Sequence, residues 1–467
     1  MRVRAAFVLF AQVLLAASAS HAEDVGKTDV YARIKAAVDA VSSINTHDHL
    51  RPFDQIPRAP EPEQALRQLW ATSYFTWSHT LAPWPKSGSF DDWWNDTQRG
   101  FADARAASCY QYLLPAFRDL YGVDFDALAA DEARKLSGRI YENSQSEEWL
   151  REVITERANV ELMIVDPYWA RLDFSTHYPF TVALCNVTSL VRGFHPSEFD
   201  NPAEDPYKFA EKHEMAIGSL DDYVAVLDRI LLEAKKADAV CLKSTLAYNR
   251  TLRFENVAKD RAAAAFGRPR KELTPEAVRD FEDFVMWRLV ELSAKHDLPF
   301  QIHTGHARIQ GSNPMLLVDM IQANPKTKFI LFHGGFPWIE ETGLIAMRYR
   351  NVWIDSCWLP TLSYSIGKRA YQEWLEMIPS SRIMWGSDSG TAEAIYGSTE
   401  FTRRCLAEAL AEMVLRGDLR EADALRIGRQ VMRENALEMF PGLRRRLWRE
   451  GARRTTSAGP GDPVVKG

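Results

Sequence analysis

Two histidines separated by a single residue, His47 and His49, end a short β-prone run that begins at Val41. Alternate side chains of an extended strand share a face, so both imidazoles leave the strand in the same direction. An imidazole pair at the end of a strand is half of a site for a divalent metal. Alone the pair is weak evidence, because surface and core histidines are commoner than metal ligands.

Further β-rich runs carry a metal-capable or ionisable side chain near their C-terminal ends. These side chains are Lys243, His303, His333 and Asp388. Each one alone has an ordinary structural explanation; Asp388, for example, precedes Ser389-Gly390 and would suit a turn. Their recurrence at successive strand ends predicts a metal site assembled from separate strands.

The residue types indicate how such a site would work. Three imidazoles and one carboxylate would form the ligand set, from His47, His49, His303 and Asp388. His333 is predicted to be a ligand or a group that polarises a carbonyl. Asp388 is the predicted acceptor of a proton from metal-activated water.

Lys243 lies in an apolar run, where a lysine needs a partner or loses its charge. Two interpretations follow from this position. Lys243 carries a carbamate that bridges two metals, with His303 and His333 on the second ion. Alternatively, it remains an ammonium group that binds a substrate carboxylate.

Eight apolar, β-rich runs recur along the chain, at 41–50, 160–165, 180–187, 239–245, 300–304, 328–333, 352–356 and 383–387. Helical patterns lie between several of them, at 220–236, 275–295, 314–323, 340–348 and 370–377. Apolar strands separated by helices indicate a parallel sheet covered on both faces. Eight such units predict an α/β fold, a (β/α)8 TIM barrel whose chemistry lies on the loops after the strands.

Residues 1–22 have the pattern of a signal peptide. Arg2 and Arg4 precede an apolar run, and small residues end the segment at Ala22. The apolar run is too short to span a bilayer comfortably, so we expect an exported protein, periplasmic or secreted, without stable membrane insertion after cleavage. Residues 23–467 are predicted to form a single barrel domain. An aromatic-rich helical cap is expected over 51–159 and C-terminal helices over 399–448.

The net charge of the chain limits the classes of partner that it can bind. Cleavage would remove Arg2 and Arg4 and change the formal net charge from -6 to -8. An acidic chain is a poor binder of nucleic acid, so a small-molecule substrate is expected. A homo-oligomer is compatible with the sequence.

The sequence resembles the amidohydrolase superfamily. The likeness is to the amidohydrolase-related branch that contains aminocarboxymuconate-semialdehyde decarboxylase-like enzymes and the amidohydrolase domain fused to glutamine synthetase-like proteins. It covers about residues 41–440 and is most specific over 298–390. The resemblance implies a metal-dependent barrel with metal-site residues after strands one, five, six and eight, matched here by His47, His49, His303, His333 and Asp388. Binuclear members carry a carboxylated lysine where Lys243 stands, which implies one or two divalent ions, with zinc the first candidate.

A second resemblance concerns the run His303-Thr-Gly-His-Ala-Arg308, which is similar to the His-x-Gly-x-x-Arg run of uronate isomerases. Arg308 is a candidate for binding a substrate carboxylate through its forked guanidinium. Arg250 is a second candidate for the same role. His306 departs from the pattern and is an additional candidate pocket residue.

Together these features predict a metal-dependent hydrolase acting on an amide, ester or lactone of a small, acidic substrate. Asp388 would move the proton, and His333 with the metal would stabilise the oxyanion. Non-oxidative decarboxylation and uronate isomerisation are alternatives that use the same site. A non-catalytic exported binding protein is a third.

Overall fold

The computed structural model describes residues 24–447. The predicted signal peptide, residues 1–22, lies outside the described residues, as do residues 448–467 with the last position of the predicted 399–448 segment. In the described part of the chain, no helix has both the length and the apolar character needed to cross a membrane.

Residues 24–447 contain nine strands, all paired in parallel. They are β1 (Ser43–Asp48), β2 (Val160–Val165), β3 (Thr181–Ala183), β4 (Cys185–Asn186), β5 (Leu242–Ser244), β6 (Phe300–His303), β7 (Phe329–Phe332), β8 (Val352–Asp355) and β9 (Ile383–Met384). Neighbours follow in chain order, β1 to β3 in one group and β4 to β9 in the other. Each of the eight predicted runs therefore contains a strand, and the run 180–187 contains both β3 and β4.

Backbone hydrogen bonds join the two groups of strands. The amide of Val240 donates to the carbonyl of Ala183 at 3.1 Å, and the amide of Cys185 donates to Cys241 at 2.9 Å. Because β3 and β4 bond to the same neighbouring segment and only Leu184 separates them, they act as one barrel strand. The sheet thus has the eight strand positions that the sequence predicts.

The first and last strands also meet. The amide of Asp388 donates to the carbonyl of His47 at 3.1 Å, and the amide of His49 donates to Ser389 at 2.8 Å. These bonds bring together the two edges of the sheet and the two segments that carry predicted ligands. The predicted parallel α/β fold of the barrel type is confirmed.

Helices surround the sheet. The α-helices are Asp29–Asp39, Ala65–Ala71, Phe90–Ala104, Ser108–Gln111, Leu114–Tyr121, Ala130–Ser144, Glu147–Glu152, Pro206–Lys212, Leu220–Lys236, Lys259–Ala263, Pro275–His296, Val318–Ala323, Ile339–Arg348, Leu359–Leu362, Tyr364–Met377, Ala392–Arg416, Glu421–Arg429 and Asn435–Met439. The strands between them are buried on both faces; every residue of β7, for example, is buried. Burial on both faces explains why these strands are continuously apolar in sequence.

The long segment between β1 and β2 is helical and packs its aromatic side chains mainly against one another. Trp70 is fully buried and stacks on Tyr110 with ring centroids 5.2 Å apart. A short 3-10 turn, Tyr74–Trp77, differs because it reaches the carboxyl end of the barrel. There the Tyr74 hydroxyl donates to the carbonyl of Asp388. This segment therefore contributes directly to the surroundings of the predicted site.

Candidate metal and active site

The predicted metal-site side chains converge at the carboxyl ends of the strands. Asp388 is the common neighbour: its Oδ1 lies 3.6 Å from Nε2 of His47 and 3.1 Å from Nε2 of His49. Ligand atoms that share one zinc ion at about 2 Å lie about 3 to 4 Å from one another. The spacing of these atoms therefore fits a shared divalent cation.

The surroundings of His49 favour positive charge at this point. Its Nδ1 lies 3.3 Å from the carbonyl oxygen of Asp166, which can only accept a hydrogen bond. Its Nε2 lies 3.1 Å from Oδ1 of the Asp388 carboxylate. Burial lowers the pKa of His49, but the hydrogen bond and charge of Asp388 outweigh burial and raise the pKa to about 9. These surroundings favour a cation beside Asp388, either a proton on Nε2 of His49 or a metal ion.

His303 presents an unused lone pair. The neighbouring His333 places its Nδ1 2.9 Å from the carbonyl of Cys357, so this nitrogen carries the hydrogen. Burial lowers the pKa of His333 to about 3, so its ring is neutral and its Nε2 accepts from Nδ1 of His303 at 2.9 Å. Burial also holds the pKa of His303 well below its usual value. Its Nε2 is consequently an unprotonated, buried nitrogen without a hydrogen-bond partner, which suits a metal ligand.

His333 has a different position in this network. Both of its ring nitrogens are engaged, one with Cys357 and one with His303. In this arrangement His333 orients His303 rather than offering a lone pair of its own. Its predicted roles as a ligand and as a carbonyl polariser stay predictions, and both need the His303 contact to break.

Lys243 is buried within the same group of side chains. Its Nζ has no hydrogen-bond partner and lies 3.8 Å from the centroid of the Phe332 ring. The side chain is 1% exposed. A buried amine without a partner is costly, and the face of an aromatic ring offsets only part of the cost of an ammonium charge. Either predicted role of Lys243 would supply the missing partner.

Asp166 belongs to the candidate site and was not among the predicted residues. It follows β2 directly, is fully buried, and brings Oδ2 to 4.0 Å from Nε2 of His47. With His47 and His49 it forms a group whose possible ligand atoms lie within 4.8 Å of one another. Asn186 orients this carboxylate by donating to both oxygens, at 2.9 and 3.0 Å. The signal was present in the sequence, since a carboxylate directly follows an apolar strand.

Cys357 is a second addition, in a group of possible ligand atoms with His333 and Asp388. It follows β8, and burial raises the pKa of its thiol well above the usual value. The thiol is therefore protonated at neutral pH unless a cation binds next to it.

The predicted substrate-binding residues separate into two groups. Arg308 is exposed on the loop after β6, where Nη1 donates to the carbonyl of Asn249 at 2.8 Å. His306 is half-buried on the same loop, and its ring centroid lies 4.9 Å from that of Trp358. Both residues thus belong to the loop that follows His303.

Arg250 is engaged elsewhere. Its guanidinium lies 2.8 Å from Oε2 of Glu282 and 2.5 Å from Oδ1 of Asp283. The remaining donors bond to backbone carbonyls, and the group stacks 4.5 Å from the ring of Phe254. In this structure these partners occupy the donors of Arg250 in an internal ion pair, so its substrate-binding role stays a prediction that would require the ion pair to break.

Three non-glycine residues at the site have left-handed backbone conformations: His333 at φ 61°, Trp358 at φ 65° and Asp388 at φ 54°. Such conformations are uncommon outside glycine and cost roughly 1–3 kcal/mol each. Surrounding contacts hold Asp388 in place, since its amide bonds to His47 and its carbonyl accepts from Tyr74. Backbone strain is thus concentrated where the candidate ligands converge.

Comparisons with known proteins agree with this geometry. Residues 257–442 match the amidohydrolase family model. A stretch of 148 residues is 27% identical to Protein fluG of Emericella nidulans and covers 30% of this chain. The chain spans only 17% of the length of that relative.

Solved structures with a similar fold cover most of the chain. A protein of Lactobacillus casei ATCC 334, described as a metal-dependent hydrolase, has TM-score 0.62, 17% identity, and coverage of 89% of this chain and 98% of its own. The uronate isomerase of Thermotoga maritima has TM-score 0.65 and 15% identity, with coverage of 88% and 97%. The glucuronate isomerase of Caulobacter crescentus has TM-score 0.65 and 16% identity, with coverage of 90% and 96%.

At these identities the structural likeness shows the fold alone. The parallel α/β barrel and its two groups of possible ligand atoms suit a divalent-metal site. The family match then supports an enzyme of the amidohydrolase superfamily, and the predicted resemblance is confirmed. The structural neighbours include a hydrolase and isomerases, so the fold does not select the reaction.

Proposed function

We propose that this protein is a metal-dependent hydrolase that adds water to the carbonyl of an amide, ester or lactone in a small, acidic substrate. The observation that carries the proposal is Asp388, a buried carboxylate within 3.6 Å of His47 and 3.1 Å of His49. A carboxylate placed between metal-type ligands is suited to move a proton during hydrolysis.

The residues present fit a divalent cation, with zinc the first candidate. We propose His47, His49, His303 and Asp388 as its ligands. Oδ1 of Asp388 lies 3.6 and 3.1 Å from Nε2 of His47 and His49, Nε2 of His303 has no hydrogen-bond partner, and Asp166 groups with the first two histidines. When bound, the ion supplies Lewis acidity that activates water and polarises a carbonyl. The unpartnered Nε2 of His303 and the carboxylate-facing Nε2 of His49 are the atoms that favour this assignment.

Asp388 is suited to accept the proton of the attacking water. Burial raises the pKa of its carboxyl, but the hydrogen bond to His49 and the nearby imidazoles hold the pKa well below its usual range. The carboxylate is therefore ionised near neutral pH and available as a base. After attack it returns the proton to the leaving group, while Arg308 on the adjacent loop binds the acidic end of the substrate.

Water incorporation tests the reaction. Metal-loaded protein is incubated in H2(18)O with amides, esters and lactones that carry a carboxylate, and products are analysed by mass spectrometry. Hydrolysis predicts one 18O atom in the new carboxylate. Carbon dioxide release with no 18O in the organic product would support the decarboxylase instead, and aldose–ketose interconversion of a uronate incubated in parallel would support the isomerase. The His303–Arg308 run and the isomerase folds are the observations that favour the last alternative.

The chemical state of Lys243, carbamate or ammonium, distinguishes a site with two ions from a site with one. We propose the ammonium and a single ion. His333 has no free ring nitrogen for a second ion, and the amine of Lys243 lies against the Phe332 ring as an ammonium would. We expect about one metal per chain in the wild type and in Lys243→Met, measured by elemental analysis. Loss of the ammonium should weaken binding of a substrate-like carboxylate about ten- to a hundredfold. About two ions falling to about one would establish the carbamate bridge instead.

Export is a further proposal, which rests on residues 1–22 alone. Expression of the full chain in a bacterial host should give a periplasmic or secreted protein whose N-terminus is Glu23. Intact-mass measurement of the fractionated protein checks this, and a cytoplasmic protein that retains residues 1–22 would contradict it.

A further inference from the structure

The exposed aromatic rings of the described chain all border the candidate site. Within residues 24–447, the aromatic side chains in the exposed class are Trp77, Tyr168 and Tyr248, at 56%, 42% and 40% exposure. Each of them contacts a residue of the candidate site. The ring centroids are 5.2 Å apart for Trp77 and Trp358, 5.1 Å for Tyr168 and His49, and 4.4 Å for Tyr248 and His303. Exposed aromatic rings that contact buried residues of a site offer apolar surface for a ligand to cover.

Trp358 lies below this edge and has two costly features. It is 1% exposed, yet its indole Nε1 has no hydrogen-bond partner, whereas a buried indole N–H normally has one. Its backbone is left-handed, at φ 65°, which is a rare conformation for a bulky residue. A ligand that offers an acceptor atom to this N–H would remove the first cost.

Rings of both the barrel and the helical segment surround Trp358. Its ring centroid lies 4.4 Å from that of Tyr74, 4.9 Å from His306 and 5.4 Å from His333. Trp77 reaches from Trp358 towards Tyr248, with those two outer rings 6.4 Å apart. Aromatic rings therefore form a continuous row from the candidate metal ligands to solvent, on the side of His303 and His333.

We propose that Trp77, Tyr248 and Trp358 form a subsite for a planar, unsaturated ring that carries a hydrogen-bond acceptor. The ring packs against Trp77 and Tyr248, its acceptor atom receives the indole N–H of Trp358, and its acyl group points towards Asp388. The substrate class is an aromatic or heteroaromatic acyl compound. This assignment deepens the proposed hydrolase and rests on it for the identity of the reacting group.

Ring preference can be measured without turnover. Isothermal titration of the full protein, metal-free and metal-loaded, compares benzoate with cyclohexanecarboxylate, which differ in ring planarity but share the carboxylate. We expect benzoate to bind about three- to tenfold more tightly, as aromatic packing predicts. Trp77→Leu and Tyr248→Leu should remove this preference. Tyr168→Leu is the matched control, because its exposed ring contacts His49 on another side of the site, and it should keep the preference.

The indole N–H is tested with a conservative change. Trp358→Phe keeps an aromatic ring but removes the donor. In the wild type, nicotinate or isonicotinate should bind more tightly than benzoate, and Trp358→Phe should weaken that probe about tenfold while leaving benzoate within about twofold. Equal loss for all probes would overturn the donor role, since general damage to the site would produce that pattern.

The outcomes separate this proposal from the proposed function. Aromatic preference in binding, without hydrolysis of any amide, ester or lactone, would support the subsite and contradict the hydrolase. If phenyl and cyclohexyl acyl substrates are hydrolysed with equal kcat/KM, and benzoate and cyclohexanecarboxylate bind equally, the hydrolase is supported and the subsite is overturned. Absence of binding by every carboxylate probe would also overturn the subsite.

Discussion

Asp388→Asn is expected to lower kcat about 100- to 10,000-fold on any substrate that the metal-loaded wild type converts. The change removes the negative charge that faces His49 and His47 at 3.1 and 3.6 Å and keeps the size of the side chain. The amide cannot accept the proton of the attacking water. Steady-state kinetics at saturating metal, with circular dichroism to confirm the fold, measures the effect.

Asp355→Asn is the matched control. Asp355 is also a buried carboxylate at the end of a strand, but its oxygens accept from the Thr46 hydroxyl at 2.6 Å and from the Cys357 amide at 2.9 Å. The Asp355→Asn variant should lose much less activity than the Asp388→Asn variant. Equal activity in Asp388→Asn and the wild type would contradict the role of Asp388 as a base.

Arg250→Ala is expected to lower the free energy of unfolding by about 3–5 kcal/mol. The change leaves Glu282 and Asp283 buried without their cation, and their side chains are only 11% and 8% exposed. Burial already raises the pKa of both carboxyls, and Arg250 opposes that rise. Urea denaturation, followed by far-ultraviolet circular dichroism, measures the loss.

The triple variant Arg250→Ala, Glu282→Gln, Asp283→Asn should recover part of this stability, because it removes the unpaired charges. Arg308→Ala provides the comparison within the site. Arg308 is exposed and bonds to one carbonyl, so its loss should raise KM for an acidic substrate and leave the unfolding transition unchanged. An increase in KM without loss of stability in Arg250→Ala would restore the substrate role predicted from the sequence.

The sequence alone predicts the barrel because its strands are buried on both faces. Continuous apolar runs such as Phe329–Phe332 stand out from the amphipathic helices around them. One irregularity could not be predicted from the pattern: the run 180–187 is divided at Leu184 into β3 and β4. Such interruptions depend on local hydrogen bonding with neighbouring strands, which periodicity does not record.

The candidate site was predictable to the extent that its residues follow strands. That rule predicts His47, His49, His303 and Asp388, and Asp166 satisfies it equally. The ion pair of Arg250 could not be predicted, because its partners, Glu282 and Asp283, lie on a helix about thirty residues further along the chain. No spacing rule relates those positions. The same holds for Trp77 and Trp358, which meet only through the packing of the helical segment on the barrel.

Metal content tests the central claim most directly. Wild-type protein is stripped of metal, reloaded with zinc, passed through a desalting column and analysed by inductively coupled plasma mass spectrometry. The double variant His47→Ala, His49→Ala is treated in parallel, with His195→Ala as a control because His195 bonds to Ser197 of its own turn. We predict about one ion per chain in the wild type and the control, and close to none in the folded double variant. Equal zinc in all three proteins, or none in the wild type, would contradict a metal centre at the carboxyl ends of these strands.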